Sequence, residues 1–209
     1  MSTAATSCSE LLERHREIWN DATEHPFLAG CKDGSVKANQ FDTWLVQDYL
    51  FVLQFTKFVE GLASLAPKDH AEAISGGVAA LHDELSWFQA KASERRLSLD
   101  ASPLETTLQY QKFLADLSAQ PYPVQAVGFW AIELVYNQAW GFQASKEYEE
   151  FAERWGNADF GKYVKLLEAQ ADSALKKASQ EEKIEADRVF VDIAKLEVKF
   201  WNMAFETKQ

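Results

Sequence analysis

Apolar residues recur at spacings of three and four along nearly the whole chain, the period of helices with one buried face. No segment keeps the two-residue alternation of a strand. The first predicted helix covers about 9–24 (SELLERHREIW), and a loop, HPFLAGCKDGS, follows it. An apolar-rich helix over about 39–66 carries FDTWLVQDYLFVLQFTKFVEGL and stops at Pro67. The next, about 69–96, contains Gly76 and Gly77, a pair expected either to bend it or to let another helix cross closely. Ser102 is placed to cap, and Pro103 to open, a helix through Tyr110 and Phe113. Pro121-Tyr122-Pro123 introduces VQAVGFWAIELVYNQAWGF, and two last helices cover about 146–178, with a break at Trp155-Gly156-Asn157, and about 181–205. The pattern predicts an all-α chain of about seven or eight helices in a single domain over residues 1–209, with about 1–8 as a flexible arm.

Four carboxylates interrupt this pattern. Phe41, Trp44, Asp48, Phe51 and Phe55 follow one another at offsets of three and four, so Asp48 lies within an aromatic stripe. The same test puts Glu84 between Leu81 and Trp87-Phe88, Glu133 between Phe129-Trp130 and Tyr136, and Glu197 between Ile193 and Phe200-Trp201. An ionised carboxylate without compensating partners costs several kcal/mol to bury, or takes up a proton. Any one of the four is open to a structural ion pair or hydrogen bond, but as a set they point to function.

The chain's 209 residues are 47% hydrophobic with 9 Gly and 5 Pro, which excludes disorder and low complexity and leaves few breakers for a sheet-rich fold. A net charge of -11 repels phosphate backbones and anionic lipid, so neither nucleic acid nor membrane is expected as a partner. The polar start MSTAATSCS lacks a signal peptide's pattern, and no apolar run is long enough to span a bilayer; a cytoplasmic protein is expected. Cys8 and Cys31 have no metal-type spacing and read as ordinary thiols.

No Glu is followed three residues later by His, which removes the di-iron bundle pattern. His15, His25, His70 and His82 read as surface or capping residues, so no metal and no cofactor is expected. Serine-hydrolase elbows, phosphate-binding glycine loops and the deaminase zinc signature are likewise missing. What remains is a set of acids and aromatics. It suits a flat, weakly basic heterocycle such as an aminopyrimidine, with rings stacking and carboxylates accepting from N–H groups. Two carboxylates in different protonation states can activate water and protonate a leaving group, which is hydrolytic chemistry.

The ordered segments HPFLAGCKDGSV, FDTWLVQDYLFVLQF, LHDELSWF, TTLQYQKFL, FWAIELVYNQAW, RWGNADF and LEVKFWNMAF make nearly the whole chain resemble the TenA family of thiaminase II-like proteins. That resemblance implies a haem-oxygenase-like helical fold, a role in thiamine salvage, and a homodimer or homotetramer. The better-known branch carries a Pro-Cys-x-Trp segment, with a nucleophilic Cys, where this chain has FWAIELVY. The departure is similar to the plant and archaeal branch, in which a Glu serves instead. Glu133 is the only acid in that stretch.

The resemblance then implies hydrolysis of an aminopyrimidine, and of its N-formyl precursor, without covalent cysteine catalysis. Glu133 would activate water, Glu197 protonate the leaving amine, and Asp48 anchor the substrate. Tyr110 would contact the ring, and Phe51 stands where many members have Tyr, leaving it stacking or packing. Tyr136 is placed to orient Glu133, with Glu84 and Trp155 as pocket-wall candidates. Two alternatives stay open: a non-catalytic pyrimidine-binding protein, and a redox protein on the same fold.

Overall fold

The computed structural model describes residues 4–208, and these form ten helical segments with no strand among them. In chain order they are α1 (Cys8–Arg14), α2 (Arg16–Thr23), α3 (Pro26–Asp33), α4 (Ala38–Leu65), α5 (Lys68–Glu94), α6 (Glu105–Ser118), α7 (Tyr122–Ala139), α8 (Glu149–Gly156), α9 (Ala158–Lys177) and α10 (Gln180–Phe205). The all-helical reading of the periodicity holds. Two compact units emerge, one made of Met1–Val36 with Gln120–Val198 and the other of Lys37–Ala119 with Lys199–Gln209.

In the first unit, α7 is the core. Every residue from Val124 to Tyr136 is buried, so this helix is covered all round instead of along one stripe. It packs against α9, α2 and α8. Trp19 of α2 stacks on Phe190 of α10 at 4.7 Å, and its indole N–H donates to Gln138 Oε1 at 2.7 Å.

The two extra segments have local causes. The predicted first helix breaks at His15, whose ring lies 2.8 Å from Asp187 of α10 beside the Arg14–Asp187 pair at 2.7 Å. HPFLAGCKDG is a helix and not a loop: His25 Nδ1 accepts the Phe27 N–H at 3.1 Å, Pro26 sits in the first turn, and Gly34 closes the last with φ +80°. His25 thus caps, as expected, but both it and His70 are buried, where a surface position was the other expectation. Ala4, Ala5 and Cys8 are buried within the stretch read as a flexible arm, and Met1–Thr3 of that arm lie outside the described residues.

In the second unit, α4 packs against α5 and α6, and Trp201 of the chain's last segment lies 6.5 Å from Trp44. Helix α5 runs unbroken through Gly76 and Gly77. Ser102 does not cap α6, which starts at Glu105; the approach is held from α4, where Gln47 Oε1 accepts the Leu104 N–H at 2.9 Å.

Helix α5 ends in a Schellman motif: Leu97 N donates to Ala92 O at 2.8 Å and Arg96 N to Ser93 O at 3.1 Å, with Arg96 at φ +58°. A left-handed L-residue costs about 1–2 kcal/mol, more than the extra chain entropy glycine loses on folding. Arg96→Gly is therefore expected to stabilise the protein by about 0.5–1 kcal/mol, read as a rise of a few degrees in Tm.

Candidate active-site residues

Helix α7 presents Glu133 from its most buried stretch, at 8% exposure, with Tyr136 one turn later at 6%. The ring of Tyr136 meets Trp155 edge-on at 5.7 Å, and Trp140 lies 5.5 Å from the same indole. Asn137 ties α7 to α8, its Nδ2 donating to Trp155 O at 2.7 Å. The RWGN segment turns α8 into α9 at the predicted break, and Asn157 caps α9 by accepting the N–H groups of Asp159 and Phe160, both at 2.9 Å.

Tyr163 of α9, absent from the sequence reading, lies within reach of the Glu133 charge. Burial first, and then the negative charge of Glu133, pushes its phenol well above the ordinary tyrosine range, so it stays protonated and keeps its hydrogen to donate. Phe160, Tyr163, Val164 and Leu167 do keep helical spacing, which is the signal that was available. On α10, Glu197 is completely buried in the stripe that includes Ile193 and Ala194.

The second unit carries the other predicted residues. Asp48 is completely buried on α4 and Phe51 is 2% exposed one turn further on. The Phe51 ring lies 4.5 Å from Tyr110 of α6 and 5.5 Å from Phe55. Three of the four stripe carboxylates are therefore buried; Glu84 is only half-buried on α5, as is Trp87, while Leu81 and Phe88 turn inward. Glu84 sits at the edge of its stripe and not within it.

Neither thiol lies near these residues in sequence. Burial pushes both upward from the ordinary thiol range, aided by Asp172 for Cys8 and by Glu147 and Asp33 for Cys31, so both stay as thiols at neutral pH. With Tyr163, these groups keep in the folded state protons that the unfolded chain releases from about pH 8.5 for Cys and about pH 10 for Tyr. A raised folded value means stability present below the unfolded pKa and lost above it. Stability is expected to fall progressively as pH rises above about 8.5, and a Cys8→Ala, Cys31→Ala protein should lose the earlier part of that fall. Urea midpoints measured between neutral and alkaline pH check it.

Among the described residues no three His, Cys, Asp or Glu side chains gather as a metal-ion site. No helix among them is long and apolar enough to cross a membrane. A cavity of about 270 Å³ in the first unit, lined by His25, Leu28, Lys32, Gln138 and Phe142 among others, includes none of the predicted site residues.

The chain belongs to the TENA/THI-4/PQQC family, whose model matches residues 12–207. It is 38% identical to a Glycine max protein named "Probable bifunctional TENA-E protein", over 92% of this chain and 90% of that one. It is 25% identical to a Halalkalibacterium halodurans protein named "Aminopyrimidine aminohydrolase", over 100% of this chain and 97% of that one. A crystal structure of a TenA homologue from Pyrococcus furiosus superposes with a TM-score of 0.90 at 28% identity, over 94% of this chain and 98% of the other.

Proposed function

We propose that this protein is a thiamine-salvage hydrolase that cleaves the C–N bond of an aminopyrimidine, with its N-formyl precursor as a second substrate. The observation that carries the reading is Glu133, a carboxylate in the middle of a helix in which every residue from Val124 to Tyr136 is buried. A buried carboxylate is costly to keep without compensating partners, and acids held in such surroundings gather at functional sites. Its place in FWAIELVY, where the family's other branch has Cys, and the names of the relatives support the same reading.

In this reaction the oxygen of water bonds to the aminomethyl carbon as the carbon–nitrogen bond breaks. Glu133 takes a proton from the water, and Glu197 gives one to the departing amine, which leaves as ammonia. The proton held on Glu133 then returns to Glu197 through solvent, restoring both. Asp48 accepts from the ring's amino group and anchors it; Phe51 and Tyr110 lie against the ring. Tyr136 orients Glu133, while Trp155 and Glu84 belong to the wall. A cytosolic homodimer or homotetramer is part of the same proposal.

The test is to incubate the purified protein separately with the aminopyrimidine, its N-formyl derivative and thiamine, following ammonia and the hydroxymethyl pyrimidine. Steady ammonia release from the amine is expected. Saturable binding with no turnover would instead make the protein a pyrimidine carrier.

A further inference from the structure

Helices α4 and α6 are joined by a ladder in which polar and aromatic rungs alternate. At the first rung Gln47 Oε1 accepts the Thr107 hydroxyl at 2.6 Å and the Leu104 N–H at 2.9 Å. Gln47 is 4% exposed and Thr107 is fully buried. One turn on, Phe51 meets Tyr110 at 4.5 Å. At the third rung Gln111 Nε2 donates to the Leu50 carbonyl at 3.2 Å. On α6, Tyr110 thus lies between two residues hydrogen-bonded to α4.

We propose that Gln47 and Thr107 are positioning residues that fix the register of α6 on α4 and so set where the Tyr110 ring stands. Apolar side chains on two packed helices accept a small slide or rotation at modest cost, because dispersion and burial have little direction. A buried carbonyl holding two donors does not: after a slide, the fully buried Thr107 hydroxyl exchanges the amide oxygen for the weak sulfur acceptor of Met203 at 3.6 Å, and the Leu104 N–H loses its bond. The polar rungs therefore select one register among several that the aromatics alone would tolerate. Gln47 also governs the approach to α6, because the donor it holds belongs to Leu104, the residue immediately before the first turn of that helix.

Fluorine NMR of the full-length protein labelled with 3-fluorotyrosine reads this directly, since there are 6 tyrosines and Tyr110→Phe identifies the resonance in question. Thr107→Val, which keeps shape and loses the hydroxyl, and Gln47→Leu are expected to move or split the Tyr110 signal. Thr107→Ser, which restores the hydroxyl, should return it. Should Gln47→Leu not fold, Gln111→Leu at the half-buried third rung is expected to move the same signal by less. A Tyr110 resonance unchanged in folded Thr107→Val and Gln111→Leu proteins would overturn the proposal.

A second readout rests on the aminopyrimidine reading: Thr107→Val should raise KM roughly tenfold with kcat within about twofold, and Thr107→Ser should restore KM. A KM that stays put while the Tyr110 signal moves would remove Tyr110 from the substrate's surroundings and leave the register role standing. If the wild-type protein neither binds nor hydrolyses the aminopyrimidine, the functional reading fails while the NMR result still decides this one.

Discussion

Glu133→Gln is expected to lower aminopyrimidine hydrolysis by about 10²–10⁴-fold while leaving the protein folded and at least as stable. Glutamine keeps the shape of glutamate and its acceptor oxygen but has no basic site for the water proton. The loss should fall on kcat, because the substitution removes the base and leaves the other proposed substrate contacts as they are, and it corresponds to about 3–5 kcal/mol of transition-state stabilisation. Stability should move the other way, since a neutral amide at a position only 8% exposed needs less compensation than a carboxylate. A folded Glu133→Gln protein with wild-type turnover would sink the mechanism.

The features that the sequence made readable are those that a single helix records about itself. Asp48 and Glu197 were visible because each interrupts an apolar stripe of its own helix, and both are completely buried. Glu84 shows the limit of that argument: a stripe has edges, and spacing of three and four does not separate the centre from the rim. On α7 the stripe test identified Glu133 for a weaker reason than it seemed, since every residue from Val124 to Tyr136 is buried and the helix has no polar face to contrast with. What was not legible depends on distant partners. The Gln47–Thr107 bond joins residues 60 apart, and a glutamine inside a helix otherwise looks like an ordinary helix former. The helix in HPFLAGCKDG was hidden because histidine is not among the usual capping residues, so Pro and Gly dominated the reading. His15 breaks the first helix where its side chain meets Asp187, 172 residues away.

Gly156→Ala is expected to destabilise the protein by about 3 kcal/mol or more and to abolish activity with it, whereas Gly76→Ala should stabilise it by about 0.5–1 kcal/mol. Both changes add one methyl group to a helical glycine, and the surroundings decide the sign. A Cβ on Gly76 would meet nothing within 4 Å at an exposed position, so only the gain in helix propensity remains. A Cβ on Gly156 would lie 2.3 Å from Trp140 O, 2.8 Å from Trp140 C and 3.0 Å from Gly141 Cα. All three are backbone atoms at the end of α7, so no rotamer change relieves the clash and the α8–α9 turn must move away. Trp155 moves with it, breaking the bond from Asn137 Nδ2 at 2.7 Å and the edge contact with Tyr136 at 5.7 Å, which lies one turn from Glu133. The glycine in RWGN therefore does more than interrupt a helix: it lets the α8–α9 turn approach the end of α7 closely enough to wall in Tyr136. Urea unfolding of the two variants side by side checks the sign, and tryptophan fluorescence reports whether Trp155 has moved. A Gly156→Ala protein as stable as wild type would mean that the turn and α7 do not pack this closely, and would remove the support proposed for Tyr136 and Trp155.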